Sequence, residues 1–176
     1  MRKLLIIYFL LISCFSGFSQ NSKLHIDLNY PFPIGDNFIG KNYHGIINFG
    51  IRYMPIKITK IKLGISTNVG VLKYPQVPVQ ALMIKPRLNV ELGLKKLTPY
   101  AGIGYSFFKY DYSSTFPGTD KTNDGFNLNL GIQYKIISIL YLKLDYDFIK
   151  FRIEQLPDIS YNKNIMIINI GFGISI

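Results

Sequence analysis

Between Gly125 and Tyr134 the chain alternates Phe126, Leu128, Leu130, Ile132 and Tyr134 with Asn127, Asn129, Gly131 and Gln133, without an exception on either side. A period of two is the pattern of a strand with one apolar face. Wound as a helix, a face begun at Phe126 would gather Asn129, Leu130, Gln133 and Tyr134, a mixture no core accepts. The segment is therefore a strand.

The pattern recurs at Leu24, Ile26, Leu28, Tyr30; at Ile47, Phe49, Ile51, Tyr53; at Ile61 to Val71; and at Leu88, Val90, Leu92, Leu94. It continues through Ala101, Ile103, Tyr105, Phe107, then from Leu140 to Phe148, then from Ile168 to Ile176. With the first segment these make eight strands, and none needs a helix between them. Residues 54–60, 95–99 and 135–139 are short links, whereas 31–44, 72–80, 108–124 and 149–164 are long. Short turns on one rim and long loops on the other are the plan of a transmembrane barrel. The expectation is an all-β, eight-stranded antiparallel up-and-down transmembrane β-barrel, with both termini on the short-turn, periplasmic rim and the long loops extracellular.

A soluble eight-stranded barrel of lipocalin type also alternates, so the charges decide. Asp27, Arg52, Lys62, Lys85, Arg87, Glu91, Lys143, Asp145 and Asp147 all fall on the polar parity, and the apolar parity within the strands carries none. Nine of the fifteen glycines share the polar parity, where a narrow interior needs small residues beside Tyr100 and Arg87. Tyr30, Phe107 and Phe148 fall near the long-loop rim and Tyr53 and Tyr134 near the other, as two interfacial girdles would. Trp, common near the first strand of lipocalins, is absent. The polar parity is read as the barrel interior, filled by side chains and closed to bulk flow. Its charges must pair: Glu91 with Arg52, Lys62 or Lys143 near the periplasmic rim, and Asp145 or Asp27 with Arg87 nearer the middle.

Two places break the scheme. Pro86 falls on the outward parity, where it removes a ladder hydrogen bond, so a bulge sits there or the spanning part begins at Arg87. At Phe148-Ile149 the apolar phase shifts, and Ile149, Phe151 and Ile153 continue between Lys150, Arg152 and Glu154. A bulge followed by a hairpin above the membrane would produce that shift.

The N-terminus adds a destination. Arg2 and Lys3, an apolar run from Leu4 to Phe15 and Gly17-Phe18-Ser19 before Gln20 follow the order of a secretory signal peptide. Residues 1–19 are read as that peptide and residues 20–176 as one barrel domain of 157 residues. In the alternative reading, Leu11-Ile12-Ser13-Cys14 is a lipobox and Cys14 is lipidated. If Cys14 is only part of the leader, the mature chain has no cysteine, which excludes disulfides and thiol catalysis. The mature chain carries 18 basic and 10 acidic residues, a net charge of +8. An exported basic chain meets anionic lipid head groups before any nucleic acid.

The leader, Tyr30-Pro31-Phe32-Pro33-Ile34-Gly35, Pro99-Tyr100-Ala101-Gly102-Ile103-Gly104-Tyr105 and the closing Gly171-Phe172-Gly173-Ile174-Ser175-Ile176 together resemble the small outer-membrane β-barrel family of OmpA/OmpX type. The resemblance covers residues 20–176 and implies the outer membrane of a Gram-negative cell, insertion by the barrel-assembly machinery, and no cofactor. The family's last strand usually ends on an aromatic residue; here Ile176 is last and Phe172 lies four positions earlier.

Eight-stranded barrels can carry lipid-modifying sites built from His with Ser, Asp or Glu near the extracellular rim. The two histidines are placed at opposite rims: His25 at the periplasmic start of the first strand, and His44 at the top of the second, where Asp36, Ser113 or Asp147 could approach. Neither forms a metal site with the other, and no catalytic or cofactor-binding residue is assigned. The long loops carry Tyr110, Tyr112, Phe116 and Asp120, then Phe151, Arg152 and Tyr161, which suit surface recognition or lipopolysaccharide phosphates. The reading is a monomeric barrel with a structural or surface-interaction role; its rivals are a lipid-modifying enzyme and a soluble lipid carrier.

Overall fold

In the computed structural model, which describes residues 23–76, 79–111, 121–152 and 163–176, each of the eight alternating segments is a strand. They are β1 (Leu24–Ile34), β2 (His44–Ile58), β3 (Ile61–Tyr74), β4 (Val79–Leu92), β5 (Leu97–Asp111), β6 (Lys121–Lys135), β7 (Leu140–Phe151) and β8 (Asn164–Ser175). Each pairs antiparallel with its chain neighbours, and β8 returns to β1 to close the barrel in sequence order. Closure leaves no unpaired edge, the condition for a sheet to cross lipid. The ends of the barrel chain meet, with the Leu24 N–H donating to the Ile176 carbonyl at 3.1 Å. The leader and Cys14 lie outside the described residues.

The exterior settles which solvent the apolar parity faces. Leu88 is 63% exposed, Ile103 51% and Leu144 48%, and they belong to continuous apolar rows around the barrel. A soluble carrier would bury those rows and expose the charges. Here Asp27, Arg52, Lys85, Arg87, Glu91, Lys143, Asp145 and Asp147 are buried and Lys62 is half-buried at the short-turn rim, which overturns the soluble reading. Tyr30, Phe107, Tyr53 and Tyr134 point outward as the girdles require, and Phe148 is half-exposed beside them.

The interior glycines make room for particular rings. Tyr100 pairs with Gly131 and Tyr141 with Gly173, and a Cβ at either glycine would collide with the facing ring. Each tyrosine thus lies across the barrel wall and carries its hydroxyl to an interior acid: Tyr100 donates to Asp145 at 3.0 Å, and Tyr141 donates to Asp27.

Three local expectations are corrected. A short helix, α1 (Phe38–Asn42), sits between β1 and β2, where no helix was needed. Asn37 caps it by accepting from the Gly40 N–H at 2.7 Å, and Ile39 turns into the barrel mouth and is buried. Five residues are too few for a 3.6-residue period to register. Of the expected long loop at 72–80, residues 72–74 and 79–80 belong to strands, because β3 and β4 stay paired up to Tyr74 and Val79. Pro86 causes neither a bulge nor a late start, since β4 runs through it and Thr67 pairs with it from β3. Towards β5 the pairs Ile84↔Phe107 and Arg87↔Gly104 keep one register, so proline costs local ladder bonds and no shift.

The expected bulge at Phe148-Ile149 is also absent. From Gly125↔Phe151 to Lys135↔Tyr141, and from Leu140↔Ile174 to Lys150↔Asn164, β7 keeps one register with both neighbours. What changes there is the chemistry of the two faces. Tyr141, Lys143, Asp145, Asp147, Ile149 and Phe151 all point inward, so the inner row passes from charged to apolar along one unbroken strand. The outer row passes from Leu142 and Leu144 to exposed Lys150 and Arg152. Strand β4 does the same, with Val79, Ala81 and Met83 inside above Lys85, Arg87, Asn89 and Glu91. In β5, Phe108 and Tyr110 turn inward above Ser106, while Lys109 and Asp111 face out. The proposed hairpin residues Ile153 and Glu154 lie outside the described residues.

Candidate functional site

The membrane-level interior is filled by a connected polar network. Asp147 accepts from Lys85 at 2.6 Å and from Arg87 Nη2 at 2.8 Å, and Arg87 also donates to Asn68 at 3.1 Å and to Asn127. Lys143 reaches Asp27 at 2.9 Å and Asp145 at 3.2 Å. Asn129 and Asn169 each donate to both Asp145 and Asp147, tying the two carboxylates together. Nearer the periplasm, Arg52 stands 3.0 Å from Glu91 and 4.0 Å from Asp27, with its guanidinium 4.7 Å from the Tyr100 ring centre. The Arg52–Glu91 contact is an ion pair whose alignment is not that of a hydrogen bond.

Of the three bases expected for Glu91, namely Arg52, Lys62 and Lys143, Arg52 is the one that forms the close ion pair. The expected partner of Arg87 is corrected: it is Asp147, not Asp145 or Asp27. Alternation put all three acids on the inner face but could not rank them. Barrel stagger brings β4 and β7 side chains together across the lumen, and sequence spacing within single strands does not encode that.

Above the network, Leu72, Ala81, Met83, Phe108, Tyr110, Ile149, Phe151, Ile165 and Ile167 form one buried apolar cluster, closed from above by Ile39 and Tyr43. Phe108 meets Phe151 edge to face at 4.9 Å, and Tyr43 lies 6.1 Å from Tyr110. Tyr110 and Phe151, expected in the recognition loops, are thus parts of this plug. Tyr112, Ser113, Phe116, Asp120 and Tyr161 lie outside the described residues.

Among the described residues the histidines stand apart, at opposite ends of the barrel. His25 is buried at the periplasmic mouth, its Nε2 4.0 Å from Glu91 and its ring edge-on to Tyr141 at 5.8 Å. It lines a small polar cavity of about 90 Å³ with Lys62, Glu91, Gln133, Lys135 and Tyr141. His44 is exposed at the opposite end, paired in register with Lys73. Asp147 is fully buried in the network, and Asp36 faces Lys41 at 3.4 Å. Among the described residues no group of three His, Cys, Asp or Glu stands close enough to hold a metal. A broad apolar groove of about 770 Å³ on the outer wall, around Thr67, Pro86, Leu88 and Tyr105, faces lipid and gathers no reactive set.

A closed eight-stranded wall, apolar outside and charged inside, is what a protein dissolved in lipid must present. The sequence profile described as "Outer membrane protein beta-barrel domain" matches residues 35–175. The chain belongs to the outer membrane protein β-barrel domain family. Like other outer membrane β-barrel domains, it is located in the outer membrane. Its fold is similar to that of the N-terminal β-barrel domain of Pseudomonas aeruginosa OprF, with 15% identity and a TM-score of 0.59 over 89% of this chain and 98% of that one. Ail, the attachment invasion locus protein of Yersinia pestis, is similar at 13% identity and a TM-score of 0.57, over 88% of this chain and 97% of that one. OprG from Pseudomonas aeruginosa follows at 12% identity and 0.54, over 88% and 96%. Identities this low carry the fold alone. Comparison with curated proteins gave no significant match.

Proposed function

We propose that this outer membrane β-barrel is a monomeric, non-enzymatic protein with a structural or surface-interaction role, closed to bulk solute flow. The observation that carries the proposal is the double filling of its lumen. Paired charges occupy the membrane level, and the Phe108–Phe151 cluster occupies the extracellular mouth. An ion entering from outside would meet an apolar plug and then charges already paired with one another. In planar bilayers the purified barrel is expected to give no stable conductance above background; a large, long-lived channel would overturn the closed reading.

Interaction is assigned to the extracellular loops, because a barrel held rigid below them presents exposed Lys73, Lys109, Lys150 and Arg152 outside the plug. Lipopolysaccharide phosphates are the partner this chemistry favours, and the barrel-assembly machinery is the partner during insertion. The lipid-modifying alternative rests on exposed His44 at the extracellular end. Membranes from cells producing His44→Ala should show the wild-type lipid A acylation pattern, and an altered pattern would favour the enzyme.

A further inference from the structure

Among the described residues the outward surface of the short-turn rim carries lysine and no acid, Glu91 being buried inside it beside Lys62 and Lys135. Lys23, Lys57, Lys60, Lys62, Lys95, Lys96 and Lys135 lie there, whereas no Asp or Glu occurs in residues 54–62, 92–98 or 134–140. The backbone links these positions into one arc. The Met54 N–H donates to the Lys23 carbonyl at 2.7 Å, the Gly93 N–H to Lys60 at 2.7 Å, and the Lys135 N–H to Lys96 at 2.8 Å. Lys57 stands directly opposite Lys62 across β2 and β3, and Lys62 stands opposite Glu91 across β3 and β4. The opposite rim differs, since Asp36, Asp111 and Asp124 are interspersed there with Lys41, Lys109 and Arg152.

The same turns are unusually apolar. Ile56, Ile58, Ile61, Leu94, Leu97, Ile136 and Ile137 are exposed, Ile58 by 60% and Ile137 by 55%, below the outward Tyr53 and Tyr134. Turns standing in periplasmic water would be polar. Isoleucines at this level belong at the boundary of acyl chains and head groups, and lysines among them extend their stems across apolar surface to place ammonium groups at head-group phosphates.

We propose that the lysine arc is a docking collar for anionic phospholipid of the periplasmic leaflet, of the phosphatidylglycerol class. The apolar turns select a membrane over a soluble polyanion, and the single sign of charge selects an anionic head group. The collar fixes the depth and tilt of the barrel from below, independently of whatever the extracellular loops bind.

The test uses the whole mature barrel in nanodiscs of phosphatidylcholine with or without phosphatidylglycerol, counting lipids retained after detergent extraction by native mass spectrometry. Wild-type protein is expected to retain phosphatidylglycerol selectively. Lys57→Gln/Lys60→Gln/Lys95→Gln/Lys96→Gln should lower that selectivity on the order of tenfold or more. The extracellular control Lys73→Gln/Lys109→Gln/Lys150→Gln should keep it. Should the fourfold variant fail to fold, as judged by loss of the heat-modifiable band, the four single Lys→Gln variants replace it, and graded partial losses are expected. Equal retention of both lipids by wild type, wild-type selectivity in the rim variants, or an equal loss in the control would each overturn the proposal. So would rim-dependent binding of purified peptidoglycan in detergent without lipid selectivity, which would assign the collar to the cell wall.

Discussion

The lower and upper parts of this barrel are built from the same eight strands with opposite rules. At membrane level the outer face is apolar and the inner face holds Lys85, Arg87, Asp147 and their partners. Two positions further along each row, Lys109 and Lys150 face out, while Phe108 and Ile149 pack inside. The lower part is a barrel dissolved in lipid, and the upper part is a small soluble barrel with a hydrophobic core. The difference teaches that neither face is intrinsically the interior: each row follows the solvent beside it, and β7 carries both assignments without a register change. The lower part is held by polar complementarity, because burying apolar rows gains nothing where the outside is hydrocarbon. The upper part is held by the hydrophobic effect.

Substitutions that exchange the two rules separate them. The largest effect is expected from Asp147→Ala, which strands Lys85 and Arg87 without their shared acid. Leaving buried charge uncompensated costs about 3–5 kcal/mol, read as a lowered denaturant midpoint for the folded, heat-modifiable band. Phe108→Ala opens a cavity in the plug and is expected to cost about 3 kcal/mol or more, with conductance still absent because the network below remains. Leu144→Lys places a charge on the lipid face and is expected to cost about 2–4 kcal/mol in bilayers. Lys150→Leu, six residues further along the same outer row of β7, should change stability by no more than about 0.5 kcal/mol. Equal costs at positions 144 and 150 would remove the distinction between the two parts.

The lower part was readable in the chain because lipid outside and charge inside make the alternation stark, as from Phe126 to Tyr134. That contrast located the strands and the inward charges, and it put Arg52 among the three candidate partners of Glu91 without choosing between them. The upper part was obscured by its own logic. When both rows change character between Phe148 and Lys150, the pattern imitates a one-residue slip, and Tyr110 and Phe151 look like loop aromatics. The legible signal was present in β4, where Val79, Ala81 and Met83 precede Lys85 at the same parity. The Arg87–Asp147 contact was not legible, because it depends on the stagger of two strands that face each other across the lumen. The extracellular site was the least legible part, since a loop's ligand follows from surface chemistry that alternation does not encode.

The inversion is most directly tested along β7 by placing single cysteines, each spin-labelled, at Leu142, Leu144, Phe148, Ile149, Lys150 and Arg152 in a Cys14→Ser background. Accessibility to oxygen and to a water-soluble nickel chelate is then measured in bilayers. Labels at 142, 144 and 148 are expected to meet oxygen, labels at 150 and 152 the chelate, and a label at 149 neither reagent. Oxygen access at 149 together with protection of 150 from the chelate would restore the register slip and contradict the account.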